Sequence, residues 1–296
     1  MKQRTAVLSV VSNTALILLK VVAGTLTGSV AILTEAMHSS IDLIASVVAY
    51  VSVRIADEPA DERHSYGHVK VENLAAAFEA LLILVGSAVI AFEAVRRLIT
   101  GGRTHTLGLG IAVIAFSAVA NLVVSAVIGR VGRRTASPAL QGDAAHLRTD
   151  AISSLAVLVA LVLVKATGAQ WIDPVAALVV ASSIVVTGIR LLVRSGEVLV
   201  DQALPAGEME TIVQVIQTFP DGAVLGFHQL RTRRGGSQRY VDVHLQFRHG
   251  TSLEQAHRTA HELQDKIADA LGGADVLIHL EPEDRLRPGQ QTLHAE

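Results

Sequence analysis

Two pairs of ionisable side chains have a spacing that can hold a metal ion. His38 precedes Asp42 by four positions, and His146 precedes Asp150 by four positions. On an α-helix, residues four apart lie on one face, so each pair presents an imidazole beside a carboxylate. Two such faces turned toward each other would supply the tetrahedral nitrogen and oxygen ligands that Zn²⁺ accepts. One pair alone is a weak signal, so the hypothesis rests on the repetition.

Both pairs fall within apolar stretches of an unusually hydrophobic chain. Of its 296 residues 50% are hydrophobic, and the mean hydropathy of +0.45 is too high for an ordinary soluble protein. Charged groups at membrane depth are costly and usually mark an ion path or a binding site. The formal net charge of −2 argues against a nucleic-acid-binding protein. Because cysteine is absent, any metal ligands must be His, Asp or Glu.

Six segments are long and apolar enough to cross about 30 Å of hydrocarbon as helices. They are residues 6–26, 30–53, 73–95, 107–129, 146–167 and 173–195. The first follows Lys2 and Arg4, and we interpret it as a retained helix because it is too long for a signal peptide. Lys and Arg are enriched in the loops on the side of the N-terminus, which predicts that both termini face the cytoplasm. Residues 1–203 are thus predicted to form a six-helix transmembrane domain.

The composition becomes mixed and polar near residue 200, which indicates a small cytosolic domain over residues 204–285. Helices are predicted at 206–218 and 252–271, and strands at 224–233, 238–248 and 275–281. This α-β-β-α-β order is typical of an α+β domain of the ferredoxin or metallochaperone kind. Residues 286–296 contain Gly and Pro without periodicity and are predicted to be disordered.

Two further groups of candidate ligands lie outside the predicted spans. Asp61, His64 and His68, between spans two and three, are spaced so that they could converge on one ion; the alternative is that they are solvated loop residues. The C-terminal domain is rich in histidine, and there His279 and Glu281 share one face of a predicted strand. The plain alternative is that a small polar domain displays histidine on its surface.

These features together resemble the cation diffusion facilitator family, over about residues 5–282. The resemblance rests on both His-x-x-x-Asp motifs, on the order of six spans and on the small C-terminal domain. Further matching stretches are Gly28-Ser29-Val30-Ala31, His64-Ser65-Tyr66-Gly67-His68-Val69-Lys70-Val71-Glu72, Trp171-Ile172-Asp173-Pro174 and His279-Leu280-Glu281-Pro282. The resemblance implies a homodimer in the bacterial inner membrane that exports divalent metal ions in exchange for protons.

The resemblance also implies roles for particular side chains. The transported ion would be held by His38, Asp42, His146 and Asp150; a second ion, in some members, by Asp61, His64 and His68; and metal at the dimer interface by His228, His244, His257, His279 and Glu281. A site of two His and two Asp favours Zn²⁺ over harder ions such as Mn²⁺, with Cd²⁺, Fe²⁺ and Mn²⁺ as other cargoes. Some relatives have Asp in place of Glu281, which leaves the coordination of the second interface ion open.

Three other classes of protein fit the sequence less well. An intramembrane metalloenzyme would need an open coordination position for water, and the His-Glu-x-x-His pair of zinc hydrolases is absent. The chain is therefore not predicted to be an enzyme. A metal sensor with a simple membrane anchor would not need ligands on two helices, and tight binding by four ligands would slow passage through a channel.

Overall fold

The chain folds into two compact units, Met1–Gly196 and Glu197–Glu296, in the computed structural model. The structure describes residues 1–27, 30–100, 108–169, 171–219, 222–283 and 291–292, and some side chains within its helices, that of His38 among them, lie outside the description. The second unit begins before residue 204, where the sequence placed the boundary, because it includes the last turn of a helix that ends at Leu199.

The first unit is built of six long helices, which confirms the expected all-α membrane domain. They are α1 (Lys2–Thr27), α2 (Val30–Ala56), α3 (Val71–Thr100), α4 (Gly108–Arg134), α5 (Pro138–Thr167) and α6 (Ile172–Leu199). Within the described residues, five of them contain a segment long and apolar enough to cross a membrane: Lys2–Ala23, Val71–Thr100, Ala115–Arg134, Pro138–Val164 and Pro174–Leu199. The remaining helix, α2, has 27 residues and is described only in part.

Helix α5 occupies the centre of this unit, since it packs against α2, α3 and α4. It begins at Pro138, eight positions before the span predicted from the sequence, because Ser137 caps it and accepts a hydrogen bond from the backbone amide of Leu140. It ends where Gly168 adopts a left-handed conformation with φ of 73°. The early start places His146 more than two turns inside the helix.

A polar junction ties the beginning of α5 to α1 and α3. The Lys2 Nζ lies 2.9 Å from Oε1 of Glu72, whose side chain is 3% exposed. The Ser137 hydroxyl donates a hydrogen bond to the other carboxylate oxygen of Glu72. Close by, Gly132 brings α4 against α5, because a Cβ at this position would come within 3.1 Å of the Gln141 amide nitrogen. Four helices are thus fixed to one another at this end.

The second unit has the α-β-β-α-β order that the sequence predicted. Its elements are α7 (Ala206–Gln217), β1 (Val224–Gly235), β2 (Gln238–Phe247), α8 (Leu253–Ala270), β3 (Asp275–Pro282) and β4 (Gln291–Thr292). The sheet has the order β3-β2-β1-β4; β2 runs antiparallel to β1 and parallel to β3. Leu245 of β2 and Leu263 and Ile267 of α8 are fully buried in its core.

The short strand β4 lies at one edge of the sheet. Gln291 and Thr292 pair with Phe227 and Gly226 of β1, in a segment that the sequence placed within a disordered tail. A two-residue strand has no alternating pattern to detect, and it forms because the edge of β1 offers unpaired backbone groups.

A carboxylate clamp joins α7 to the hairpin of β1 and β2. Glu208 Oε2 accepts a hydrogen bond of 2.8 Å from Arg239 Nε, and Oε1 lies 3.1 Å from Arg234 Nη2. The hydrogen bond from Arg239 lowers the pKa of Glu208 below its usual value. A carboxyl group whose pKa is lower in the folded state stabilises the fold above its unfolded pKa, and this contribution is lost as the pH falls through the folded pKa.

We therefore expect Glu208→Gln to destabilise the second unit at pH 7 and to have a smaller effect at an acidic pH near the lowered pKa of Glu208, where the native carboxyl takes up its proton. The measurement is the urea midpoint of the full-length protein in detergent, read from the amide resonances of β1–β3 at each pH. The control, Glu210→Gln, changes an exposed glutamate of the same helix and should leave the midpoint unchanged. An equal loss at both pH values would contradict the assigned role of the clamp.

Candidate metal sites in the two units

The first candidate site lies inside the membrane unit, where α2 meets α5. His146 Nε2 lies 3.3 Å from Asp42 Oδ1 and 3.8 Å from Asp150 Oδ2. Asp42 and His146 are buried, at 5% and 6% exposed, and Asp150 is half-buried. One atom from each of the three residues lies within 4.8 Å of one from each of the others, as ligands of a single ion do. The pairing of His146 with Asp150 follows from their spacing on α5, and the packing of α2 against α5 supplies Asp42.

Hydrogen bonds among small polar side chains connect the backbone of Asp42 to neighbouring helices. Asn13 Nδ2 donates hydrogen bonds to Ser46 Oγ at 2.7 Å and to the Asp42 carbonyl oxygen at 3.5 Å. The Ser46 hydroxyl in turn donates to Asp143 Oδ1 at 3.1 Å and lies 2.9 Å from Ser9 Oγ. These bonds join α1, α2 and α5 beside the ligands. The sequence analysis did not single out these residues, although Asp143 could have been noticed as an acidic group just before His146 in the chain.

The fourth predicted ligand of this site, His38, stays a prediction. Its backbone belongs to α2 one turn before Asp42, and its side chain lies outside the described part of the structure. Nearby, Lys20 is 3% exposed and its Nζ donates a hydrogen bond of 2.6 Å to Ser39 Oγ. A buried ammonium group therefore lies beside the same helix, one residue from His38.

The loop between α2 and α3 brings together the second predicted group, Asp61, His64 and His68. Asp61 Oδ1 lies 3.2 Å from His64 Nδ1, and Asp61 Oδ2 lies 3.5 Å from His68 Nε2. Asp61 also accepts hydrogen bonds from the backbone amides of His64 and Arg63, at 2.6 and 2.9 Å. The bond from the His64 amide lowers the pKa of Asp61, so this exposed carboxyl is ionised and available as a ligand at neutral pH.

The third group is built by the strand register of the second unit. His228 is paired with His244 across β1 and β2, and His244 is paired with His279 across β2 and β3, so three imidazoles lie side by side on one face. Glu281 follows two positions later on β3 and points to the same face. Its Oε2 lies 2.8 Å from His228 Nε2, and its Oε1 lies 3.0 Å from His244 Nδ1.

The two remaining predicted ligands stand apart from this trio. The His279 side chain is 62% exposed, and its Nε2 lies 3.7 Å from Glu281 Oε1. His257 lies on the exposed face of α8, where its Nε2 is 3.2 Å from Nε2 of His261. Within the described residues, the single chain thus brings His228, His244 and Glu281 together, places His279 at their edge and pairs His257 with a neighbour on its own helix. The predicted role of His257 across a dimer interface is not tested by a single chain.

Helices that are apolar enough to cross a membrane and that bury a histidine–carboxylate cluster are typical of a membrane protein that handles an ion. The comparisons give the family. The model of the cation efflux transmembrane domain matches residues 6–200, and that of the cation efflux protein cytoplasmic domain matches residues 204–283. The chain belongs to this family, the cation diffusion facilitators, and is a cation efflux transporter of the membrane.

Individual relatives align over nearly the whole chain. The transporter sll1263 of Synechocystis sp. is 34% identical over 277 residues, which is 94% of this chain and 89% of that protein. The cation-efflux pump FieF of Citrobacter koseri is 34% identical over 280 residues, which is 94% of this chain and 92% of that protein. A solved structure of CzrB is 40% identical and covers 27% of this chain and 98% of its own, with a TM-score of 0.26.

The geometry of the third group predicts that Glu281 holds any ion bound there, because its two oxygens reach His228 and His244 at once. We expect Glu281→Gln to weaken Zn²⁺ binding by the second unit at least about tenfold. Calorimetric titration of the full-length protein in detergent, with Asp42→Ala in the background to weaken the intramembrane site, measures this. Glu210→Gln is the matched control, and unchanged binding in Glu281→Gln would contradict the assignment.

Proposed function

We propose that the protein exports Zn²⁺ from the bacterial cytoplasm across the inner membrane in exchange for protons, as a homodimer that exposes its ion site to each side in turn. The proposal rests above all on the cluster of Asp42, His146 and Asp150, three ionisable groups buried within the membrane unit. Ionisable groups at this depth are retained when they handle an ion. No enzymatic activity is proposed.

The ligand chemistry supports Zn²⁺ as the cargo. One imidazole and two carboxylates already converge, and His38 would add a second nitrogen from the next turn of α2. Tetrahedral nitrogen and oxygen ligation suits Zn²⁺, whereas Mn²⁺ prefers six oxygen ligands. Cd²⁺ and Fe²⁺ are softer or intermediate ions that the same ligands could carry.

Coupling to protons follows from the requirements of the ligands. An ion binds to neutral imidazole and to ionised carboxylate, so its arrival displaces protons, and their return releases it. Histidine ordinarily titrates near neutral pH, which allows this exchange under physiological conditions. The proton gradient would thereby drive metal out of the cell while both termini face the cytoplasm.

The other two clusters are proposed to act on the cytoplasmic side. Asp61, His64 and His68 would hold an ion near the membrane surface, and His228, His244 and Glu281 would hold another in the second unit. With His257 and His279 completing ligation between two copies, metal binding would draw the two C-terminal domains together and favour export. The ion in this domain is proposed to be Zn²⁺ as well.

The intramembrane cluster is tested by Asp42→Ala, which removes one carboxylate and should abolish Zn²⁺ flux into proteoliposomes while the protein stays folded. Zinc uptake is read with an internal zinc-sensitive dye, and folding by gel filtration and circular dichroism. The control is Asp57→Ala, since Asp57 lies in the exposed turn after α2 and accepts a hydrogen bond from Gln3. Native flux in Asp42→Ala would rule out this site as the transport site.

The identity of the cargo is tested by competition in the same vesicles. With two His and two Asp as ligands, we expect Zn²⁺ to be carried faster than Mn²⁺ at equal concentration. Rates are compared in the native protein and in His146→Asp, which replaces the nitrogen ligand with oxygen and should narrow the difference. Equal rates for the two ions in the native protein would remove the proposed preference.

A further inference from the structure

A buried acidic group lies in the membrane unit outside the metal clusters. Glu79 on α3 is 0% exposed, and neither of its carboxyl oxygens has a hydrogen-bond partner. Asp143 on α5 is also 0% exposed, and its Oδ2 has no hydrogen-bond partner. None of the three candidate ion sites uses either residue, and the spacing patterns in the sequence did not reveal them.

The glycine at position 142 makes room for the Glu79 carboxyl. If residue 142 carried a Cβ, that atom would overlap Glu79 Oε2, and it would lie 3.2 Å from the Cα of Ala76. The carboxyl therefore sits directly against the backbone of α5, next in sequence to Asp143. Two buried acidic residues, Glu79 and Asp143, thus lie where α3 packs against α5.

The two carboxyl groups differ in their surroundings. Asp143 Oδ1 accepts a hydrogen bond from Ser46, whose network reaches the backbone of Asp42 through Asn13. Glu79 receives no such donor. An ionised carboxylate with no donor and with a like charge beside it is strongly disfavoured in a buried setting, whereas a protonated carboxyl is tolerated. The proton of the pair therefore belongs on Glu79.

The neighbouring charges do not offer an alternative way to neutralise Glu79. From α1, Lys2 is already paired with Glu72, which lies seven positions before Glu79 on the same helix. On α5, the ionisable residues that follow Gly142 in sequence are Asp143 and His146, and His146 is engaged by Asp42 of α2 and by Asp150. The acidic groups around Glu79 thus favour its protonated form.

We propose that Glu79, paired with Asp143, is a proton-binding site of the transporter, distinct from the ion cluster, and that it gains and loses its proton during each cycle. The inference rests on the proposed proton exchange and assigns it a second site. Glu79 lies about 10 Å along α3 from the Lys2–Glu72–Ser137 junction, and Asp143 precedes His146 by about one turn. The two acidic residues therefore lie between that junction and the intramembrane ion cluster. When the unit opens to water at this level, the Glu79 O–H bond breaks, the proton passes to water and a carboxylate remains; closure requires its return.

The first test looks for the proton directly. In the infrared spectrum of the full-length, metal-free protein in detergent, a buried protonated carboxyl gives a C=O band separate from the carboxylate bands. We expect Glu79→Gln to remove this band and Glu93→Gln to leave it, because the side chain of Glu93, on the same helix, is 42% exposed and paired with Arg97. A band of the same intensity in Glu79→Gln would overturn the proposal.

The second test measures coupling in proteoliposomes with a zinc dye and a pH dye. Gln resembles a permanently protonated Glu, so Glu79→Gln should keep Zn²⁺ binding and lower the number of protons moved per Zn²⁺ by about one. A second variant, Asp143→Asn, is measured in case the first has a folding defect, and it should alter the pH dependence of transport. The control, Glu93→Gln, should match the native protein. The inference would be overturned if both Glu79→Gln and Asp143→Asn kept the native number of protons per Zn²⁺ and the native pH dependence of transport. It would also be overturned if Glu79→Gln bound one Zn²⁺ fewer than the native protein. If native vesicles move no protons with Zn²⁺, the proposed exchange itself fails, which is a separate result.

Discussion

The cost of placing charge in a layer without water governs this protein. Every ionisable side chain buried among the membrane helices must be paired, hydrogen-bonded or neutral, because water cannot solvate it there. His146 meets this requirement by lying between Asp42 and Asp150, an arrangement with a net negative charge when the imidazole is neutral. A divalent cation would compensate that charge, and so would protons. The competition between the two would be the physical basis of the proposed exchange.

The polar network behind the cluster shows how the fold holds such charges in place. Asn13 and Ser46 connect the backbone of Asp42 to Asp143, so α1 and α2 contribute to a site whose other ligands come from α5. Small hydroxyl and amide groups let helices approach closely and still satisfy their neighbours. In the second unit a sheet holds the ionisable side chains in place. Its register pairs His228 with His244, and Glu281 contacts both imidazoles.

Sequence patterns anticipated the parts of the molecule that repeat regularly. The i, i+4 spacing predicted that His146 and Asp150 share a face, and apolar length predicted six helices, since both depend on local geometry alone. The start of α5 was placed eight positions too late, because a cap at Ser137 and polar residues in the first turns interrupt the apolar pattern that marks a span. Glu79 and Asn13 were not predicted, because a single polar residue on a helix has no spacing to recognise and its role depends on the helix packed against it. His257 was assigned through resemblance, and its proposed partners would come from a second chain.

The contacts among Lys2, Glu72 and Ser137 hold the beginning of α5 in place. Ser137 is held at one end of the helix. His146 lies about 13 Å from Ser137 along the helix axis, and the far end of the helix lies about 45 Å from it. A small tilt of α5 about this junction would displace the far end of the helix roughly three times as far as His146. Such a tilt would therefore displace His146 much less than it displaces the far end of the helix.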